Sequence, residues 1–317
     1  MAVGQVASEA SARPNGGSLR SRVPFRLALG SELVGKLREI VIALLSGFFV
    51  TAPYAAHASE MGGSVPLGTF RGLQPTLKVT VAGHDGMFLL DTGGGVTVIS
   101  PSLAKSAGCE RWGNVVGFRM TGQRIDLPRC DNISVILGEA TYRVPTAVVF
   151  DIMSIAGKDA PPLEGSLALD IFADKAITIE QAGNRLIVEN DASLAARARH
   201  AIEVPIRLVR EAEGLALSVV VGVPTSKGLA WMELDTGNDD PVIVVSKYIA
   251  PLLGVDPASH STQQIKVALS PGIVLEGHTK IVDDLVMDGN IGLRFLRAWN
   301  ITLDLKHGRA WFAPVNP

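Results

Sequence analysis

The tripeptide Asp-Thr-Gly occurs twice in the chain, at Asp91-Thr92-Gly93 and at Asp235-Thr236-Gly237. With each residue type near its average usage, one such tripeptide arises by chance about 0.1 times in a chain of this length, so two in matching contexts are a signal. Each follows a short apolar run, Met87-Phe88-Leu89-Leu90 and Trp231-Met232-Glu233-Leu234. Each precedes a β-branched run, Val96-Thr97-Val98-Ile99-Ser100 and Val242-Ile243-Val244-Val245-Ser246. Strand, tight turn, strand is the reading for both. Two carboxyl groups brought together from such loops have a definite chemistry. Like charges about 3 Å apart resist joint ionisation, so one pKa rises, the other falls and the pair shares a proton. The ionised member can act as a general base on a water molecule while the protonated member hydrogen-bonds a carbonyl oxygen. Which residue takes which role is a property of the pair.

Other chemistries find no motif. The chain has no His-Glu-x-x-His, no Cys-x-x-Cys, no Gly-x-Ser-x-Gly and no phosphate-binding glycine loop, so neither a metal nor another cofactor is implied. The six histidines are scattered, and His84 in Gly83-His84-Asp85-Gly86 reads as part of a turn. Net charge is −2 without a basic run, which gives no footprint for nucleic acid.

The segments that must position the two motifs repeat as well. Val65-Pro66-Leu67 matches Val204-Pro205-Ile206, and the alternating Leu77, Val79 and Val81 match Leu217, Val219 and Val221. Downstream, Gly165 to Phe172 matches Gly289 to Leu296, and Ile177-Thr178-Ile179-Glu180 matches Ile301-Thr302-Leu303-Asp304. The motifs stand 144 residues apart and the later segments 124 apart, so the first half holds about 20 more residues between its motif and its last strands.

This pattern resembles the aspartic peptidases of the pepsin and retropepsin type, in particular bacterial secreted aspartyl-protease-like proteins. Three elements carry the resemblance in each half: the Val-Pro-apolar opening, the Asp-Thr-Gly loop after an apolar strand, and a late apolar-apolar-Gly segment. The last is read as intact at Asn290-Ile291-Gly292 and altered at Ser166-Leu167-Ala168. The resemblance implies an all-β, two-lobed, pepsin-like β-barrel fold with a pseudo-twofold internal repeat. β-branched alternation with Gly and Pro punctuation reads as all-β on its own. The family's activity is peptide-bond hydrolysis by dyad-activated water, with Asp91 and Asp235 as the dyad and a polypeptide as substrate. Thr92 and Thr236 then hydrogen-bond across the lobe interface, and Gly93 and Gly237 let the backbone pass close to the carboxyl groups. Because both motifs lie in one chain, no obligate dimer is needed to complete the dyad.

Several departures keep a second reading open, a catalytically inactive peptide- or protein-binding module on the same scaffold. The family has Ser, Thr or Ala after the motif glycine, whereas this chain has Gly94 and Asn238. Asp239 and Asp240 add charge beside the second motif, and read as a solvated loop rather than as part of the site. Ala168 puts a methyl group where the family has Gly. The additional residues of the first half are read as a flap, with Val115 to Met120 and Gln123 to Leu127 flanking a hairpin tip at Thr121-Gly122. A surface hairpin without a catalytic role is the alternative. Tyr142 lies beyond that tip and supplies no flap tyrosine.

Lys36 and Arg38 precede an uncharged stretch from Ile40 to Tyr54, followed by the small-x-small Ala56-His57-Ala58. This reads as a secretory signal peptide cleaved after Ala58, and therefore as a secreted or periplasmic protein. Its apolar core is shorter than the roughly 18 residues of a membrane span, so no span is expected in the mature form. Residues 1–58 are thus signal peptide and leader, 59–195 the N-terminal lobe and 196–317 the C-terminal lobe, with a short helical linker between Asn190 and Ala201. Lobes of about 130 residues are of ordinary domain size. The two cysteines, Cys109 and Cys130, are open to two readings, a disulfide or a pair of free buried thiols.

Overall fold

The computed structural model describes residues 63–315 apart from Lys158. The signal peptide and its cleavage site after Ala58 lie outside the described residues. Among the described residues, no helix is long and apolar enough to cross a membrane.

The protein is all-β and two-lobed. An eight-stranded sheet holds strands between Gly68 and Leu167, and a seven-stranded sheet holds strands between Ile206 and Gly292. Each half opens its sheet in the same way. Strand Gln74–Val81 buries Leu77, Val79 and Val81 and exposes Lys78, as the period-2 pattern requires. It turns at Ala82-Gly83, where both residues have positive φ, into His84–Leu90. In the second half, Ser218–Thr225 buries Val219, Val221 and Val223 and pairs with Gly228–Asp235.

Each motif loop is clamped by the strand that the late segment forms. Gly165–Leu167 runs parallel to His84–Leu90 and antiparallel to Val98–Ile99, so it lies between the strands before and after the first motif. Gly289–Gly292 lies likewise between Gly228–Asp235 and Ile243–Ser246. These strands need glycine at their starts. A Cβ on Gly165 would collide with the Val98 carbonyl oxygen, and one on Gly289 would stand 2.7 Å from that of Val244.

The unequal lengths of the halves have a structural origin. Ala140–Val149 in the first half and Ile273–Val282 in the second run parallel to the post-motif strands, each with an antiparallel partner on its far side. The first half adds one further strand, Trp112–Phe118, paired with the long strand Arg124–Leu137. Its tip lies where the sequence placed it, closed by Arg119 N donating to Gln123 O at 2.8 Å, with Gly122 at φ +75°.

A six-stranded sheet joins the halves with three strands from each, in the order Ser64–Pro66, Arg185–Glu189, Ala176–Glu180, Trp299–Asp304, Arg309–Pro314, Ile202–Val204. Between them in the chain runs helix Asp191–Arg199, started by a capping box of Asn190 and Ser193. Cys109 and Cys130 form a disulfide, with Cα atoms 5.7 Å apart, that ties the segment after helix Pro101–Ser106 to strand Arg124–Leu137. Closing a loop of 21 residues contributes about 3 kcal/mol in the chain-entropy model.

Candidate active site

Asp91 follows the last residue of His84–Leu90, and Asp235 is the last residue of Gly228–Asp235. The two strands deliver them to one point. Thr92 and Thr236 lock the loops there through four reciprocal hydrogen bonds. Thr92 N donates to Thr236 Oγ1 at 3.1 Å and Thr236 N to Thr92 Oγ1 at 3.0 Å. Thr92 Oγ1 donates to Leu234 O and Thr236 Oγ1 to Leu90 O, both at 2.6 Å. Both threonines are buried, so each bond is made away from competing water.

The glycines then let the opposite carboxyl group approach. A Cβ on Gly93 would stand 2.5 Å from Asp235 Cγ, and one on Gly237 would stand 2.5 Å from Asp91 Oδ1. No other residue type fits at either place without displacing a dyad carboxyl group. The two carboxyl groups thus lie close enough for the charge of one to act on the other. Burial, and next the charge of Asp235, push Asp91 up to about 7, against the opposing effect of N–H donation from Gly93 and Gly94.

The pair is asymmetric. Asp235 Oδ1 accepts from Gly237 N at 2.8 Å and Asn238 N at 3.2 Å, and its Oδ2 accepts from Asn290 Nδ2 at 2.9 Å. Asp91 Oδ1 accepts from Gly93 N at 3.1 Å, and no side-chain amide reaches it. A third carboxyl group, Glu233, is buried beside Asp235, and Asn290 Nδ2 donates to its Oε2 at 3.1 Å. Burial first, and then the charge of Asp235, raise Glu233 to about 8.

The departures from the family pattern can now be placed. Gly94 leaves no room for a side chain in this arrangement, since a Cβ would stand 2.9 Å from Asp91 Oδ2. Asn238 serves Asp235 through its backbone N–H and turns its side chain to Asn290. Asp239 and Asp240 are exposed. Ala168 is buried without displacing the first loop, because Asp91 N still donates to Leu167 O at 3.0 Å. The reading of Asn290-Ile291-Gly292 as an intact apolar segment needs correction. Asn290 is polar, fully buried and committed to two carboxyl groups.

Three supporting residues escaped the sequence reading. Glu233 precedes Asp235 by two positions in a strand and so shares its face. Asp170 accepts from Thr97 N at 2.9 Å and Thr97 Oγ1 at 2.6 Å, bracing the segment after the first motif, and burial raises it to about 6. Gln74 reaches from the first half to donate to Gly237 O at 2.8 Å. Among the described residues, no group of three or more His, Cys, Asp or Glu is arranged to hold a metal ion.

A cleft of about 340 Å³ opens over Asp91, lined by residues of both halves that include Val96, Phe118, Ala216 and Glu233. The hairpin lines it with Val115, Phe118, Arg119, Ile125 and Leu127, and its tip is bonded to the second half by Val286 N donating to Met120 O at 2.9 Å. Tyr142 is buried in the core against Phe172, paired with Val135 and away from the hairpin tip.

The family model described as aspartyl protease matches residues 77–171, a span that contains the first motif, the hairpin and Asp170. That match supports an aspartic-protease fold and a protease type of function. Among solved structures, conglutin gamma, a basic 7S globulin from lupine seeds, superposes with a TM-score of 0.48 at 9% identity, covering 80% of this chain and 94% of its own. No curated protein matches the sequence.

Proposed function

We propose that the protein is an aspartic-type endopeptidase, secreted or periplasmic, that cleaves a polypeptide lying extended in the cleft between its halves. The reading rests chiefly on one observation: two carboxyl groups from matched loops, each packed against the glycine of the opposite motif and locked by the Thr92 and Thr236 bonds, with Asp91 open to a cleft. In the reaction, a water oxygen attacks the carbonyl carbon and gives a proton to the ionised carboxylate. The protonated partner hydrogen-bonds the carbonyl oxygen and transfers its proton as the tetrahedral species forms. Collapse of that species breaks the C–N bond: a carboxyl proton passes to the leaving amine, and a hydroxyl proton of the tetrahedral species returns to the other carboxylate, so the dyad again holds one proton. The side chains of one polypeptide complete the dyad.

The alternative, a binding module without hydrolysis, draws on Gly94, which offers Asp91 a backbone N–H and no hydroxyl. Activity separates the two. The purified protein should cleave an unfolded protein between about pH 3 and 7, below the raised pKa of about 7 at Asp91, where the pair still holds a proton. Asp91→Asn and Asp235→Asn should each lower the rate by at least about 100-fold, the lower end of what a positioned acid or base contributes. Peptide binding by the wild type without cleavage anywhere in that range would leave the binding module.

A further inference from the structure

We propose that Glu233 and Asn290 are positioning residues that make the dyad unequal, holding Asp235 as the carboxylate that takes the proton from water and leaving Asp91 to carry the proton toward the carbonyl oxygen. The roles rest on the endopeptidase reading; the assignment rests on hydrogen bonds. The sense of a buried amide is ambiguous on its own, but here a backbone donor fixes it. Asp240 N can only donate, and it donates to Asn238 Oδ1 at 3.0 Å. Asn238 Nδ2 is therefore the atom turned to Asn290 Oδ1, at 2.7 Å. That leaves Asn290 Nδ2 to face both Asp235 Oδ2 and Glu233 Oε2. One backbone N–H thus sets the direction of two amides and aims a donor at Asp235.

Asp235 then collects three N–H donors, two from backbone and one from Asn290. Donors stabilise the charged form of a carboxyl group. Asp91 has only backbone donors, from Gly93 and Gly94. The first half has no counterpart to the network, because Leu89 stands in the place of Glu233 and Ser166 in that of Asn290. Glu233 would oppose a charge on Asp235 if it were itself ionised. Burial, and then the charges of Asp235 and Asp91, favour its neutral form, against donation from Ser218 and Asn290, which favours the charged one. Glu211 and Arg119 are the other charged residues lining the same cleft. As a neutral acid, Glu233 accepts from Asn290 without adding charge, and Asn290 is shared between one charged and one neutral group.

Carbon-13 spectra of the protein labelled at Asp Cγ and Glu Cδ test the assignment without requiring activity. Resonances are identified by their loss in Asp91→Asn, Asp235→Asn and Glu233→Gln. At about pH 5.5, above the ordinary carboxyl range, Asp235 should resonate as a carboxylate, and Asp91 and Glu233 as carboxylic acids. Asn290→Leu should move the Asp235 resonance toward the acid position. A protonated Asp235 beside an ionised Asp91 in the wild type overturns the proposal, as does an Asp235 resonance unmoved in a folded Asn290→Leu. If that variant does not fold, the wild-type spectrum decides alone. Kinetics give a second reading: Asn at position 91 can still donate to a carbonyl, so Asp91→Asn should keep about 10-fold more activity than Asp235→Asn. The reverse order overturns the assignment. A wild type that cleaves nothing yet shows the expected spectrum refutes the endopeptidase reading and upholds the unequal dyad; cleavage with the reversed spectrum does the opposite.

Discussion

Glu233 points to the cleft two residues before Asp235, in a strand otherwise occupied at that depth by buried apolar side chains. Its folded pKa of about 8 stands above the ordinary 4.5, so between those values the folded state binds more protons than the unfolded state. Stability must then fall as pH rises through that window. Glu233→Gln keeps the shape and the acceptor for Asn290 and removes the titration. Its melting temperature should match the wild type near pH 4 and exceed it near pH 8, by about 2–4 °C for each kcal/mol recovered. A constant offset at both pH values, measured by calorimetry, would mean that Glu233 is not held neutral. The sequence disclosed the two aspartates and threonines readily, because two halves that must build the same loop repeat the same residues. It disguised Glu233, which sits in an otherwise apolar run and reads as strand. Strand alternation puts it on the face of Asp235, a sign that went unread, and its partner Asn290 lies 57 residues on, opposite it in a parallel register that no local pattern fixes.

At the scale of elements, Trp112–Phe118, which makes a hairpin with Arg124–Leu137, is the sheet strand of the first half without a counterpart in the second. Its tip was legible because Thr121-Gly122 is turn chemistry between two apolar runs. What it touches was not, since Val286 belongs to a loop whose position depends on the whole second sheet. That contact is a backbone bond from Val286 N to Met120 O, with Gly122 packed where a Cβ would stand 3.2 Å from Val286 Cγ1. Gly122 also has φ +75°, which costs a non-glycine residue roughly 1 kcal/mol. Gly122→Ala therefore combines backbone strain with crowding at one contact. The expected result is faster amide exchange at Val286, by about 5-fold or more for a loss of 1 kcal/mol, while amides of the core strands keep their protection. Unchanged exchange at Val286 would show that the closed tip does not depend on this glycine. The disulfide is a further case of partial legibility: residue types gave two open readings, and only the fold brings Cys109 and Cys130 together.

On the scale of the whole molecule, the dyad exists only if both halves hold a fixed relation, and two structures enforce it. One is the set of threonine bonds beneath the carboxyl groups; the other is the six-stranded sheet, where Ala176–Glu180 pairs with Trp299–Asp304 at the centre. There Thr178 and Thr302 face each other across the pseudo-twofold axis, both buried, with their Oγ1 atoms 2.9 Å apart. A hydroxyl pair of this kind is asymmetric in its energetics, since removing one partner strands the other away from water while removing both leaves nothing unsatisfied. Thr178→Val and Thr302→Val should each cost about 1–2 kcal/mol in denaturant unfolding, and the double variant should cost less than the two single costs combined, with a coupling of about 1 kcal/mol. Each variant should unfold in a single transition, because strands of both halves share this sheet and neither half can leave it intact. Additive costs would mean that each hydroxyl finds another partner when its mate is gone. Two separated transitions would mean that the halves fold independently, and the geometry of Asp91 and Asp235 would then rest on the bonds between the halves around the motifs, those of the threonines and of Gln74 to Gly237 O.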